Sequence, residues 1–136
     1  AALELASTAP PPLHAGDDPC SLAPRIDSLD VAGLAVVFST WALTYLGSDG
    51  RAALLSGLDA VSNRRDLVLV TAEDPRMTPW VPELPAEIAG VGRAGGDGTA
   101  TVLGARTWRA GAIHDDVLAL AHPHVRWLAW VPERES

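Results

Sequence analysis

The chain has no lysine. All of its ten basic residues are arginines, set against seventeen acidic residues, for a formal charge of −7 over 136 residues. Binding to nucleic acid without sequence preference depends on neutralising phosphates, so an acidic chain without a basic patch is not expected to bind nucleic acid. The same balance disfavours an anionic membrane surface. Cysteine is nearly absent as well: Cys20 stands alone, which excludes an internal disulfide and is compatible with a reducing cytoplasm. No apolar run approaches the length needed to span a bilayer, and no basic stretch followed by an apolar one marks a signal peptide at the start. The chemical signatures that announce common enzymes are also missing. There is no glycine-rich dinucleotide or phosphate loop after a strand, no GxSxG elbow, no HExxH and no CxxC.

What is present is core material. Hydrophobic residues make up 48% of the chain, and five tryptophans accompany a single phenylalanine and a single tyrosine. A chain of this length fits one domain, here 1–136, and buries roughly two-thirds of its unfolded surface. It opens on "AALELAST" without a methionine, which reads as the tail of a helix and suggests a fragment of a larger domain.

Periodicity predicts an α/β fold. After the prolines at 10–12, "LHAGDD" is a very short extended piece, and residues 20–29 form a short helix capped by Asp18 with Pro19 at its first position. "GLAVVFST" (33–40) is a continuous apolar, β-branched run, expected as a strand buried on both faces. "SDGRAALLSGLDAVSN" (48–63) is helical, capped by Ser48 or Asp49, with Ala52, Leu55, Leu58 and Val61 on one stripe. "DLVLVTAED" (66–74) is a second buried strand, so residues of about 34–72 make a βαβ unit. Four prolines then leave room only for a short helix near 86–89, and "GVGRAGGDG" (90–98) is a turn region. "TATVLGARTW" (99–108) and "VRWLAWV" (125–131) are strands, giving a C-terminal antiparallel hairpin over about 99–131. The intervening "IHDDVLALA" fits strand or helix.

Three strand exits carry polar residues: "GDD", "FSTW" and "AED". Ligands in open α/β sheets bind outside the carboxyl ends of strands, so Gly16, Asp17, Ser39, Thr40, Trp41 and Glu73 are candidates for a small-molecule site. Asp18 is assigned to the helix cap. Ser39, His124 and Asp74 have the residue types of a hydrolytic triad. In "AHPHVRWLAW" (121–130) the two histidines share one side of an extended segment and could reach one metal, with His14 or His114 and Asp115 or Asp116 completing it. Pro123 suits a structural corner equally well, and that is the expectation here: no metal, with His124 the better placed of the two histidines for any site.

Two stretches, "VVFSTWALTYLGSDGRAAL" and "AHPHVRWLAW", resemble the bacterial family of domain of unknown function 2332. Its members carry a strand like "VVFHSWALAYL", a strand exit ending in glutamate and a "HPHG-x-W-L-x-W" signature. The matching positions are 36–46, 71–73 and 122–130, and "PPLHAGD" (11–17) resembles an upstream family stretch. Ser39-Thr40 departs from the usual histidine-serine pair, and Val125 from the usual glycine. The resemblance covers what would be the C-terminal half of a family member, and implies a partial Rossmann-like sheet of the class I methyltransferase type. It implies S-adenosylmethionine as cofactor, held in part by Gly16 and Asp17, with Ser39, Thr40, Trp41, Glu73 and His124 toward the substrate. The glycine-rich strand-turn that grips such a cofactor is not in this chain. A non-catalytic scaffold of the same fold and a metal-dependent hydrolase using the His-Pro-His segment are the alternatives. An apolar strand at 34–40 needs cover on its edge, expected from an upstream segment or a second subunit.

Overall fold

The computed structural model describes residues 7–10, 12, 14, 18–30, 32–84, 100–124 and 126–131. The expected cofactor residues Gly16 and Asp17, the short helix at 86–89 and the glycine-rich turn at 90–98 lie outside them. Asp18 opens the first described element as expected: its Oδ1 accepts from Cys20 N at 2.8 Å, capping a 3-10 turn at Pro19–Ser21 that runs into α1 (Leu22–Asp27). Neither His14 nor Asp18 lies in a strand.

The apolar runs form the predicted parallel pair. β1 (Ala35–Thr40) and β2 (Leu67–Glu73) are joined through α2 (Ser48–Ser62), with Val37 opposite Leu69 and Ser39 opposite Thr71. Gly47, not Ser48 or Asp49, is the α2 cap, and no side chain bonds there. Leu54, Leu58 and Val61 are the buried stripe of α2, whereas Ala52 is exposed. They meet Leu67 and Leu69 on one face of the sheet, with Ile26 of α1 and Trp108 completing the cluster. Leu58, Leu67 and Leu69 are fully buried, each contributing on the order of 1.5–3 kcal/mol by burial alone.

The second half is a meander. β3 (Thr101–Arg109) and β4 (Ala112–Ala121) pair antiparallel around Ala110-Gly111, and β5 (Leu128–Trp130) adds to β4, giving the order β1-β2-β3-β4-β5. The C-terminal hairpin therefore joins 101–109 to 112–121. The ambiguous "IHDDVLALA" is its second strand, and the tryptophan-rich strand is a short addition beyond it. The sheet is mixed, and its spatial order follows the chain. Doubly wound folds place ligands where strand order reverses, and the described residues contain no such reversal.

The expectation of a strand buried on both faces fails for β1. It is the outermost strand, and its exposure alternates, with Val36 at 63% and Phe38 at 67% exposed. The same sheet face carries Trp130 at the far edge, 63% exposed, so the closing strand is covered on one side only. A run of apolar residues fixes a strand but not how many neighbours it acquires.

Tryptophan brackets the polar interior of the helix-bearing face. Arg106 forms a bidentate pair with Asp115, both bonds 2.7 Å, while its guanidinium lies 5.5 Å from the Trp80 ring and 5.8 Å from the Trp108 ring. Trp108 in turn donates to Asp59 of α2 at 2.6 Å, tying helix to sheet. Asp115 holds the Arg106 pKa above its ordinary value, principally through this hydrogen-bonded contact.

The segment after β2 crosses β3 closely. A Cβ on Gly104 would meet Val81 Cγ2 at 2.5 Å, so only glycine allows Val81 to seat there. Gly104→Ala is expected to cost about 1–3 kcal/mol in urea unfolding, with Val81→Ala in the same chain recovering part of the loss. On the edge that no described strand covers, β1 carries neither charge nor proline, the usual protections of such an edge. Val36→Lys is expected to shift the chain toward monomer in size-exclusion chromatography with light scattering, at little cost in melting temperature. An unchanged profile would show that this edge does not associate.

Candidate functional site

The parallel register of β1 and β2 brings two strand exits together. Ser39 lies opposite Thr71, so Glu73, two residues further along β2, emerges on the same face as Ser39. Glu73 is fully buried. Its Oε1 accepts three hydrogen bonds, from Ser39 Oγ at 2.8 Å, Ala42 N at 2.9 Å and Leu43 N at 3.1 Å. Its Oε2 is buried without a hydrogen-bond partner among the described residues.

These bonds hold a tight turn. Trp41 takes a left-handed backbone, φ 50°, immediately after β1, a conformation that costs a tryptophan strain. Trp41 N donates to Ala72 O at 3.1 Å, and its indole Nε1 donates to Thr101 Oγ1 at 3.1 Å. A 3-10 turn at Leu43–Tyr45 follows, with Glu73 satisfying the backbone donors at its start. Arg51 of α2 closes the turn from the other end by donating to the carbonyls of Leu43 and Leu46.

Between this turn and α1 lies a cleft of about 490 Å³. Its apolar lining includes Leu22, Val37, Leu43, Leu46 and Leu54, and Ser39, Asp18, Ser21, Arg25 and His14 supply its polar groups. The volume suits a small organic molecule. Of the substrate-side candidates, only Ser39 lines it. Thr40 faces outward, exposed, and Trp41 turns its indole to Thr101. Glu73 stands behind Ser39 rather than in the wall.

The remaining candidates are elsewhere. Asp74 binds Arg76 through its side chain, which holds its pKa below the ordinary carboxylate value, and Ser39 bonds Glu73, so the Ser39–His124–Asp74 triad is not assembled. His122 is 3% exposed and forms a corner: its Nδ1 accepts from His124 N at 2.9 Å, and its own N donates to Trp127 O at 3.0 Å. Trp127 packs edge-on to its ring. Asp115 is held by Arg106, and His114 pairs with Asp116 at 3.3 Å. Among the described residues, no three histidine, cysteine, aspartate or glutamate side chains converge as a metal site, and no helix is long and apolar enough to cross a membrane.

The sequence marked Ser39 and Glu73 separately but not Leu22, Arg25 or Leu46 of the cleft. Those positions read as ordinary helix and turn residues, and only the packing of α1 against the turn makes them a wall.

Fold and cleft together define a mixed α/β domain with a ligand-sized pocket at the carboxyl end of its parallel pair. The chain belongs to the family of domain of unknown function 2332, an uncharacterized protein conserved in bacteria, whose model matches residues 1–130. No curated protein and no solved structure matches the chain.

Glu73→Ala leaves the donors of Ala42 and Leu43 without their acceptor and opens a cavity. It is expected to cost about 2–5 kcal/mol in urea unfolding. Glu73→Gln keeps an acceptor oxygen and should cost markedly less. Equal losses would mean that the three hydrogen bonds are not what Glu73 contributes.

Proposed function

We propose that this domain binds a small organic ligand of nucleoside size in the cleft beside the carboxyl end of β1. The observation that carries the proposal is the anchored wall: Glu73, fully buried, is spent on fixing Ser39 and the Ala42–Leu43 backbone at the rim of a cleft of about 490 Å³. A fully buried carboxyl is expensive, and here it fixes a turn whose strained Trp41 backbone would otherwise relax. Backbone strain of this kind clusters at active sites and ligand clamps.

S-adenosylmethionine, implied by the family resemblance, is the first ligand to test. The apolar side chains of Leu22, Val37, Leu43 and Leu46 suit a planar base, and the Asp18 carboxylate suits ribose hydroxyls. When bound, that cofactor would supply an electrophilic methyl group. The residues of this chain would hold and orient it: Glu73 Oε1 already accepts three bonds, and the acid–base groups that line the described cleft, Asp18 and His14, are both exposed. That arrangement favours binding over proton transfer, and so also supports the reading of a non-catalytic domain.

Calorimetric titration with S-adenosylmethionine and with adenosine separates these possibilities. One-site binding is expected, together with a rise in melting temperature that grows with ligand concentration; stabilisation reaches about 2.7 kcal/mol at a hundredfold excess over Kd. Leu46→Trp, which fills the cleft, is expected to abolish both. Absence of heat and of any thermal shift with either compound rejects the nucleoside reading.

A further inference from the structure

We infer that Ser39 selects ligands that present a hydrogen-bond donor at the β1 end of the cleft. This rests on the cleft being a binding site and adds what the ligand must carry there.

The inference follows from counting protons. The backbone N–H groups of Ala42 and Leu43 both point at Glu73 Oε1, at 2.9 and 3.1 Å, so that oxygen acts as an acceptor. The bond to Ser39 Oγ, 2.8 Å long, shares the same oxygen and must therefore be donated by the serine. A serine hydroxyl has one proton. With that proton committed to a fully buried carboxyl, Ser39 Oγ can offer the cleft only its lone pairs. No described donor reaches that oxygen.

The facing wall has the same polarity. Asp18 lines the cleft from the α1 side, and one of its oxygens is held by Cys20 N at 2.8 Å in the helix cap. An ionised carboxylate only accepts. Ser21, also in the lining, donates its hydroxyl proton to Asp18 O at 2.7 Å, so Ser39, Asp18 and Ser21 all ask the ligand for a donor, an amine or a hydroxyl. A carbonyl, carboxylate or phosphate placed against Ser39 would set acceptor against acceptor. The donors of the cleft, Arg25 and His14, are exposed at its rim, where an acceptor-bearing end of the ligand would lie. Sites built to receive a donor discriminate strongly against analogues that lack it, because their own acceptors are left unpaired.

A thermodynamic cycle tests this, with adenosine compared against purine riboside, 2′-deoxyadenosine and 3′-deoxyadenosine, each lacking one donor group. Affinities are measured by calorimetry for the wild-type chain and for Ser39→Ala. One analogue is expected to bind the wild-type chain about tenfold more weakly than adenosine, close to 1.4 kcal/mol, and to bind Ser39→Ala as well as adenosine does. If Ser39→Ala loosens the turn, Ser39→Cys, which is slightly larger and keeps a weak donor toward Glu73 but accepts poorly, takes its place in the cycle. Analogue penalties identical in wild type and variant overturn the selective role of Ser39 while leaving the cleft a nucleoside site. Failure of all four compounds to bind the wild-type chain rejects the ligand class and this inference with it.

Discussion

The structure turns on one oxygen atom. Glu73 Oε1 receives the end of β1 through Ser39 and the start of the following turn through two backbone N–H groups, all from the adjacent strand β2. Without it, the buried amide of Leu43 would have no partner, and the turn that carries the left-handed Trp41 would be held only by the bonds of Trp41 to Ala72 and Thr101. The wall of the cleft, the position of Leu43 in the core and the seat of Arg51 on the turn carbonyls all follow from that acceptor. A neutral apolar residue at position 73 would suit the core better in isolation. The carboxyl is retained because it satisfies a turn, and the turn shapes the cleft.

Much of this was legible in the residues. The β-branched runs at 35–40 and 67–73 and the helix between them are specified locally, by composition and period, and they appear where expected. The Asp18-Pro19 start signal worked because a cap depends on its own next few residues. The pairing of Ser39 with Glu73 was not legible, although both residues stood out as polar strand exits. It depends on a register between segments about thirty residues apart, which no local pattern encodes. The strand at 112–121 was ambiguous for a related reason: of its two central aspartates, Asp115 is held by Arg106 on β3, a partner that only the hairpin register supplies.

The histidine pair shows the same limit from the other side. In sequence, His122 and His124 have the spacing of metal ligands. In the fold, Pro123 bends the chain so that His122 is buried and accepts a bond from the His124 backbone, a local use of imidazole that stabilises a corner before β5. Spacing alone measures reach. The outcome is decided by whether the two rings point outward together, and here one ring is consumed by the backbone of the other.

The uncovered flank of β1 also has a bearing on how the chain is made. β1 is complete at Thr40, whereas its sole described partner strand ends at Glu73, about thirty residues later. At a synthesis rate of about 5–20 residues per second, a neutral apolar segment therefore waits roughly 2–7 s before β2, its described neighbour, exists. Charged side chains, lysine above all, are what keep such a segment from pairing with another chain, and this chain has no lysine to offer. The burden falls on Arg25, Asp27 and Asp30 upstream and on Asp49 and Arg51 downstream, whose charges are the nearest protection against premature association on the ribosome.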